Sequence, residues 1–216
     1  MSQRRTGPES GRIQSVQRGH AILGVLAKAP GWQTAAEIAA ETGLNRTVVY
    51  RLLRTLEGEG MVRSSGSRFS LGEENLRLGT AYLESLGFYR STLTYAILLA
   101  HRFIQDTPWV VSLGVPAGDE VVLVDRLYGR ETRLEIILDV GTRLPIALSA
   151  LGRAILSGRS KQEIRSLLGE QLAAEVAPHV EAVRSSGVAF AAGEIRADMS
   201  AMASPIRNRT DVSSPR

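Results

Sequence analysis

Residues 34–62, TAAEIAAETGLNRTVVYRLLRTLEGEGMV, contain two short amphipathic segments joined by a turn. Thr34 and Glu37 have the spacing of a capping box, which predicts the start of a first helix. Gly43 then fits a left-handed C-terminal cap, and Asn45 fits the N-terminal cap of a second helix. Two helices separated by so few residues predict a helix-turn-helix, a motif that places its second helix in the major groove of DNA.

The second helix, predicted to run to about Glu59, has two chemically different faces. Val49, Leu52, Leu53 and Leu56 recur at helical spacing, so this apolar stripe must pack on the preceding helices. The opposite face carries arginine, threonine and tyrosine side chains. Arginine and threonine can bind base edges or phosphate, and a tyrosine hydroxyl can bind phosphate, so this face is suited to duplex DNA.

Residues 61–71, MVRSSGSRFSL, predict a β-hairpin around a Ser/Gly turn. By alternation Phe69 and Leu71 point inward, whereas Arg68 points outward beside a tip of small residues. A basic hairpin next to a helix-turn-helix is typical of the wing of a winged-helix domain. We therefore predict a DNA-binding set made of Thr34, Asn45, Arg46, Thr47, Val48, Tyr50, Arg51, Arg54 and Arg68.

The net charge of +4 lies entirely in the N-terminal part of the chain. Residues 1–80 hold 11 Lys/Arg against 7 Asp/Glu, whereas residues 81–216 hold 15 of each. This asymmetry favours a polyanionic partner for the basic part.

The absence of cysteine excludes disulfides and thiolate metal sites and fits a reducing cytoplasm. The polar N-terminus predicts no signal peptide, and no apolar run approaches the roughly 20 residues of a membrane span.

The remaining sequence predicts a first helix from Ile13 to Lys28 and a second domain with a three-stranded antiparallel meander flanked by helices. In that domain we predict helices at 91–105, 147–157, 161–168 and 171–185, meander strands at 109–115, 120–128 and 132–140, and two short strands at 188–191 and 201–206. The predicted organisation is a flexible tail at 1–12, a winged helix-turn-helix domain at 13–72, a linker helix at 73–87, a second domain at 88–206 and a disordered tail at 207–216.

The helix-turn-helix stretch, together with IQSVQRGHAILGVLA at residues 13–27, resembles the IclR family of bacterial transcription regulators. RLPIALSALGRAILS at 143–157 and EIRADMSAMASPIRN at 194–208 resemble the effector-binding domain of that family. The resemblance spans roughly residues 13–206. It implies an α+β fold in which a winged helix-turn-helix is joined by a linker helix to a GAF-like effector-binding domain.

The resemblance also implies a ligand cup in the second domain. The family's cup positions fall on the segment that contains Gly141, Thr142, Arg143, Leu144, Ala147 and Ser149, and on a closing strand that contains Ala201. The family commonly has a cysteine at the last of these positions and continues with another strand and a terminal helix. We therefore expect a C-terminally short effector domain with an exposed strand edge.

Three polar residues of the second domain have two interpretations each. Arg143 at the rim of the cup either pairs with the carboxylate of an organic-acid effector or forms a salt bridge to a nearby acid. Glu194 and Asp198, four residues apart, either shape the polarity of the cup or lie on a solvated helix face. The three histidines are widely separated, and none is followed by a second ligand three or four residues later, so neither a metal site nor a cofactor is predicted.

These features together predict a cytoplasmic, ligand-responsive transcription regulator, repressor or activator, that is not an enzyme. Its predicted partners are a double-stranded DNA operator, a small organic effector and a second copy of itself, with a tetramer left open and no membrane contact. Two alternatives remain open. One is a small-molecule enzyme with an accessory winged helix, using Glu194 or Asp198 as acid or base, and the other is a winged helix that binds protein.

The family pattern also suggests how two copies would meet. In that pattern the first helix and the linker helix pair between subunits. The seam candidates in this sequence are Val16, Ile22, Leu83 and Leu86.

Overall fold

The computed structural model describes residues 12–86, 102, 104, 107–133 and 137–207, and the chain divides into two compact units, of which the first ends at residue 87. The first unit contains α1 (Gln14–Lys28), β1 (Gln33–Thr34), α2 (Ala35–Thr42), α3 (Arg46–Gly58), β2 (Val62–Ser65), β3 (Arg68–Leu71) and α4 (Glu74–Ser85). The second contains β4 (Val110–Ala117), β5 (Glu120–Tyr128), β6 (Arg143–Pro145), α5 (Ala150–Leu156), α6 (Lys161–Leu168), α7 (Glu170–Ser186), β7 (Ala189–Ala192) and β8 (Ser200–Ala203).

The predicted caps delimit the two helices of the helix-turn-helix. The Thr34 backbone N–H donates to Glu37 Oε2 at 2.6 Å, and the Glu37 N–H donates to Thr34 Oγ1 at 3.3 Å, which confirms the capping box. Gly43 ends α2 with φ +68°, a left-handed conformation that glycine adopts without strain. Asn45 Oδ1 accepts a hydrogen bond from the Thr47 N–H at 2.8 Å and begins α3.

The core of the first unit lies where α1, α2 and α3 meet the hairpin. Ile22, Ile38, Leu53 and Phe69 are its largest fully buried side chains, and Val49 is buried with them. Each contributes about 1.5 to 3 kcal/mol by leaving water. The predicted apolar stripe of α3 is therefore confirmed. As a seam candidate, however, Ile22 is wrong, because it is fully buried inside its own subunit.

The wing is a small three-stranded sheet with the order β1-β3-β2. The hairpin of β2 and β3 was predicted, and Phe69 points inward as expected. Strand β1 was not predicted. It pairs antiparallel with β3 through Gln33↔Phe69 and Thr34↔Arg68, which ties the segment before α2 to the wing.

The second unit belongs to the α+β class, as predicted, with the strand order β4-β5-β6 in one sheet and an antiparallel β7–β8 pair in another. The first two meander strands are confirmed. The predicted third strand at 132–140 is wrong in its described residues, which form no strand, while residues 134–136 lie outside the described part. Residues 143–145 pair with β5 instead, and Arg126 of β5 binds the Leu138 carbonyl at 2.7 Å in the preceding connection.

Helix α5 packs on both sheets of the second unit, α7 packs on α5 and β7, and α6 packs on α7. Helix α5 begins at Ala150 rather than at 147, because residues 146–148 form a turn and Ser149 caps the helix by accepting from the Gly152 N–H at 3.0 Å. Helix α6 has its predicted bounds and a Ser160–Glu163 capping box, and α7 follows directly. Of the predicted helix at 91–105, residues 102 and 104 are helical and the others lie outside the described residues, as do 1–11 and 208–216.

Within the described ranges, no helix has both the length and the apolar character that crossing a bilayer requires.

Candidate nucleic-acid interface and effector segment

The polar face of α3 is open to solvent. Arg46, Thr47 and Arg51 are exposed, Val48 is half-buried, and Tyr50 is 45% exposed. This orientation follows from the opposite, buried face of α3, which fixes the rotation of the helix. Within the described part of the chain, Arg46 and Arg51 make no hydrogen bond or ion pair, so their guanidinium donors are available to a ligand.

A shallow groove of about 520 Å³ runs along this face between the start of α1 and α3. Arg18 of α1 and Arg51 and Arg54 of α3 lie in its lining, which also includes Gln14, Ser15, Val48, Tyr50, Leu52 and Thr55. Arg54 is paired with Glu57, but Arg18 and Arg51 have no acidic partner among the described residues and make the groove electropositive. An electropositive concave surface attracts polyanions.

Arg54 is engaged within the protein, unlike the other two arginines of α3. Its Nε and Nη2 donate to the Tyr50 hydroxyl oxygen at 3.1 and 2.8 Å, and its Nη1 donates to Glu57 Oε2 at 2.6 Å. The other oxygen of Glu57 accepts a hydrogen bond from Ser64 of β2. A continuous chain of contacts thus joins the exposed face of α3 to the wing.

These contacts shift the ionisation of two groups. The hydrogen bond from Ser64, and next that from Arg54, lower the pKa of Glu57 below its ordinary value. The hydrogen bond to Glu57, and then that to Tyr50, raise the pKa of Arg54. Both groups therefore stay charged at neutral pH.

The wing carries an aromatic and arginine cluster that the sequence did not predict. The Arg63 guanidinium lies 5.1 Å from the centroid of the Trp32 ring, and Arg68 Nη1 donates to the Trp32 carbonyl at 3.1 Å. These contacts orient the two wing arginines from the β1 side. No local spacing rule links Trp32 to them, because the contact with Arg68 spans 36 residues.

Two predicted DNA contacts have polar atoms that are used inside the protein. Thr34 Oγ1 donates to Glu37 at 2.8 Å and accepts from the Glu37 N–H in the capping box, and Asn45 Oδ1 caps α3. The side-chain amide nitrogen of Asn45 has no hydrogen-bond partner in the described ranges. Asn45 thus keeps a donor beside the first turn of α3.

The predicted effector segment runs along β6 and the following turn. Gly141 and Thr142 extend the pairing with β5, since the Gly141 N–H donates to the Leu123 carbonyl at 2.7 Å and the Leu123 N–H to the Thr142 carbonyl at 3.0 Å. Arg143 Nη1 lies 2.9 Å from Glu120 Oε2 on the neighbouring strand. Leu144, Ala147 and Ser149 are buried, whereas Ala201 is exposed on β8 of the other sheet.

Arg153 of α5 is a buried charged residue that the sequence did not single out. It is only 4% exposed, yet its Nε donates to the Ala147 carbonyl at 3.3 Å, its Nη1 to the Phe190 carbonyl at 2.7 Å and its Nη2 to Glu194 Oε1 at 3.0 Å. One side chain therefore joins the effector segment, β7 and the loop before β8. The contact with Glu194 spans 41 residues, so no local pattern reveals it.

Glu194 and Asp198 do not lie on a helix. They occupy the loop between β7 and β8, so the predicted helix face is wrong. Asp198 pairs with Arg196 at 2.8 Å, a contact that lowers its pKa. Partial burial raises the pKa of Glu194, but hydrogen bonds from its own backbone and from Arg153 outweigh burial, so the net shift is downward.

Two sequence families match the chain. The family described as IclR helix-turn-helix domain matches residues 15–66, and the family described as bacterial transcriptional regulator IclR C-terminal matches residues 98–213. The second match alone covers more than half of the chain.

Individual relatives agree with these matches. The acetate operon repressor of Salmonella typhimurium is 27% identical over 76% of this chain, a match that spans 59% of the repressor's own length. The HTH-type transcriptional regulator Rv1719 of Mycobacterium tuberculosis is 30% identical over 88% of this chain and 75% of its own length. The crystal structure of an IclR transcriptional regulator from Alicyclobacillus acidocaldarius superposes with a TM-score of 0.67 at 26% identity, covering 93% of this chain and 84% of that one. The chain therefore belongs to the IclR family of bacterial transcription regulators.

Proposed function

We propose that this protein is a ligand-responsive transcription regulator that binds a double-stranded DNA operator through α3 and the wing. The observation that carries the proposal is the exposed basic face of α3, on which Arg46 and Arg51 lack partners in the described part of the chain. Such guanidinium groups can bind guanine edges or phosphates. Arg18 and the wing arginines extend the positive surface on either side. Because its target is the chromosome, the regulator acts in the cytoplasm.

The chemistry of the second unit supports a sensor rather than an enzyme. Glu194 and Asp198, the two carboxylates considered as acid or base, each contact an arginine and have lowered pKa values. A general acid or base works best with a pKa near the operating pH, and a carboxylate must be raised to reach it. These two are shifted in the opposite direction.

We propose that the effector is a small organic molecule bound along the segment of Gly141 to Ser149, with Ala201 on the strand that closes the site. An organic acid would compete with Glu120 for Arg143, whose side chain is 58% exposed and whose ion pair is therefore weak. The turn of this segment is held by Arg153, so a displacement there would reach β7 directly.

We propose that the protein is a homodimer and leave open its pairing into tetramers. Large apolar side chains are exposed on both helices that the family pattern places at the seam: Ile13 precedes α1 and is 66% exposed, Val16 is 66% exposed, and Leu76 of α4 is 74% exposed. Tyr82 is 46% exposed, while Leu83 and Leu86 are half-buried. Two linked winged helices gain effective concentration on a two-fold symmetric operator.

The test uses a duplex selected by the wild-type chain from a random-sequence pool, with a shuffled duplex for comparison. We expect Arg51→Ala and Arg46→Ala each to weaken binding of the selected duplex by about 1 to 3 kcal/mol, measured by fluorescence anisotropy. Arg130→Ala in the second unit removes the same charge and should leave the affinity unchanged. The proposal would be overturned if both α3 variants bound the selected duplex as tightly as the wild type. An affinity for the duplex that does not fall as the salt concentration rises would favour a winged helix that binds protein instead.

A further inference from the structure

We propose that Tyr50 is a dedicated hydrogen-bond donor to DNA and that Arg54 is a positioning residue for it rather than a phosphate contact. The inference rests on the proposed DNA-binding function. It concerns which side chains of α3 contact DNA directly and which orient the others. The sequence placed Arg54 in the DNA-binding set as an arginine that could bind base edges or phosphate, and this inference gives it a different role.

The geometry of the Tyr50–Arg54 contact fixes the direction of the hydrogen bonds. Arg54 Nε and Nη2 lie 3.1 and 2.8 Å from the same phenol oxygen, so the fork of the guanidinium closes on it. A guanidinium group has only donors. The phenol oxygen must therefore be the acceptor in both contacts, and the hydroxyl hydrogen points away from Arg54.

The remaining contacts hold this pair in place from both ends. Glu57 accepts from Arg54 Nη1 at 2.6 Å and is itself bound by Ser64, which fixes the guanidinium plane against the wing. The Tyr50 ring meets the buried Phe69 ring edge to face, with centroids 6.4 Å apart and an interplanar angle of 83°. The phenol is thus oriented before any ligand arrives, which lowers the entropic cost of binding.

The free hydroxyl hydrogen requires an acceptor that the described part of the protein does not supply. Tyr50 lies on the same exposed face as Thr47 and Arg51, and its side chain is 45% exposed there. DNA offers acceptors of two kinds on that side, the phosphate oxygens and the base-edge acceptors such as guanine O6 and N7. Both accept a hydrogen bond from the same donor, and they differ in whether the contact depends on sequence.

The role of Arg54 follows from its occupied donors. Three of its nitrogens already contact Tyr50 and Glu57, and Glu57 neutralises its charge locally. A phosphate could reach only the two remaining Nη hydrogens, on a guanidinium whose charge Glu57 already balances. We therefore expect its influence on DNA affinity to pass through the orientation of the Tyr50 hydroxyl.

The test is a double-mutant cycle on the selected duplex, with titrations repeated over a range of salt concentrations. We expect Tyr50→Phe to weaken binding about tenfold, the loss of one hydrogen bond to a charged or polar acceptor. Arg54→Ala should weaken it less, and the double variant should bind like Tyr50→Phe alone, because the positioning effect vanishes with the hydroxyl. The salt dependence of Arg54→Ala should match that of the wild type.

Arg54→Lys separates positioning from charge. Lysine keeps the positive charge but lacks the planar fork that closes on one oxygen. If Arg54 positions Tyr50, lysine should not restore wild-type affinity. If Arg54 binds phosphate, lysine should restore most of it, and Arg54→Ala should lower the slope of log affinity against log salt by about 1.

The shuffled duplex distinguishes the two acceptors. Loss of affinity by Tyr50→Phe on the selected duplex alone indicates a base-edge acceptor, whereas equal loss on both duplexes indicates a phosphate oxygen. The inference would be overturned if Tyr50→Phe bound the duplex as tightly as the wild type. It would also be overturned if the loss of affinity in the double variant equalled the product of the losses in Tyr50→Phe and Arg54→Ala, because the two residues would then act independently. Arg46→Ala and Arg51→Ala are the references for the proposed function: if both also bind like the wild type, DNA binding through α3 fails as a whole.

Discussion

Arg46 and Arg51 of α3 extend into solvent without a partner in the described ranges, whereas Arg126, Arg143 and Arg153 of the second unit each contact a carboxylate. The difference separates two uses of the same side chain. An arginine bound to a carboxylate and to carbonyls cross-links segments of its own fold. An unpartnered arginine keeps its donors for a ligand, at no cost in broken internal contacts. Arg54 stands between these extremes, since its contacts remain on the binding surface.

Within the second unit the cross-links differ in burial. Arg153 is almost completely buried, and two of its three acceptors are backbone carbonyls. Arg143 is exposed, and among the described residues its guanidinium pairs with Glu120 alone. Because water screens exposed ion pairs, we predict that the contacts of Arg153 stabilise the second unit and that the ion pair of Arg143 contributes little.

Arg153→Met should have the largest effect on stability. Methionine fills part of the space but leaves the Ala147 and Phe190 carbonyls and the Glu194 carboxylate without their donor. We expect the second unit to lose about 3 kcal/mol or more of its free energy of unfolding. The measurement is urea denaturation followed by tryptophan fluorescence in a Trp32→Phe background, so that Trp109 of the second unit provides the signal.

Arg143→Met is the matched control for that experiment. It removes an arginine of the same unit whose ion pair is exposed, and it should change the unfolding free energy by less than about 1 kcal/mol. If the two variants lost equal amounts of unfolding free energy, burial would not determine how much these arginine contacts stabilise the unit.

A glycine in each unit sharpens the comparison through packing instead of charge. A Cβ atom added at Gly152 of α5 would lie 1.9 Å from the Ile146 carbonyl oxygen, whereas one added at Gly58 of α3 would meet nothing within 4 Å. We expect Gly152→Ala to cost about 1 to 3 kcal/mol, because the turn that carries the effector segment must move. Gly58→Ala should be neutral or stabilising by up to about 1 kcal/mol, because alanine favours helices.

Thermal unfolding of the two alanine variants checks this prediction. A lowered midpoint for Gly152→Ala alone is the expected result. If Gly58→Ala lowered the unfolding midpoint more than Gly152→Ala, the close packing of α5 on residues 146–148 would not limit the side chain at position 152.

The first unit was predictable because its signals are local. Caps at Thr34 and Asn45 act over two or three residues, and the apolar stripe of α3 repeats within one helix. The Tyr50–Arg54–Glu57 contacts were missed, although their spacing of four and three residues marks neighbours on a helix surface.

In the second unit the decisive contacts join distant positions. Arg153 finds Glu194 across 41 residues, and β6 takes its place beside β5 through pairing that no single segment specifies. Residues 132–140 have the composition of a strand, but in the described part of this segment the Arg126 side chain binds the Leu138 carbonyl and the Asp139 carboxylate. Strand preference depends on such surroundings more than helix preference does. The cup residues were placed by resemblance alone, and their role in ligand binding is a proposal.

The smallest expected effect concerns the two capping boxes, which occur once in each unit. Backbone and side-chain hydrogen bonds from Thr34 lower the pKa of Glu37, and those from Ser160 lower the pKa of Glu163. Because the folded-state pKa is lowered, each box stabilises its unit fully above the ordinary glutamate pKa of about 4.3. That stabilisation is lost as the pH falls through the lowered value.

Glu37→Gln and Glu163→Gln test this pH dependence in matched positions. Glutamine can keep the hydrogen bonds of the box but cannot titrate, so each variant should unfold less steeply with acid than the wild type over the pH range below the ordinary glutamate pKa. The midpoint of urea unfolding at several pH values measures the slope. Trp32 reports on the first unit in a Trp109→Phe background, and Trp109 reports on the second in a Trp32→Phe background. Each substitution should flatten only the curve of its own unit. A change in both curves would mean that the two units do not unfold independently.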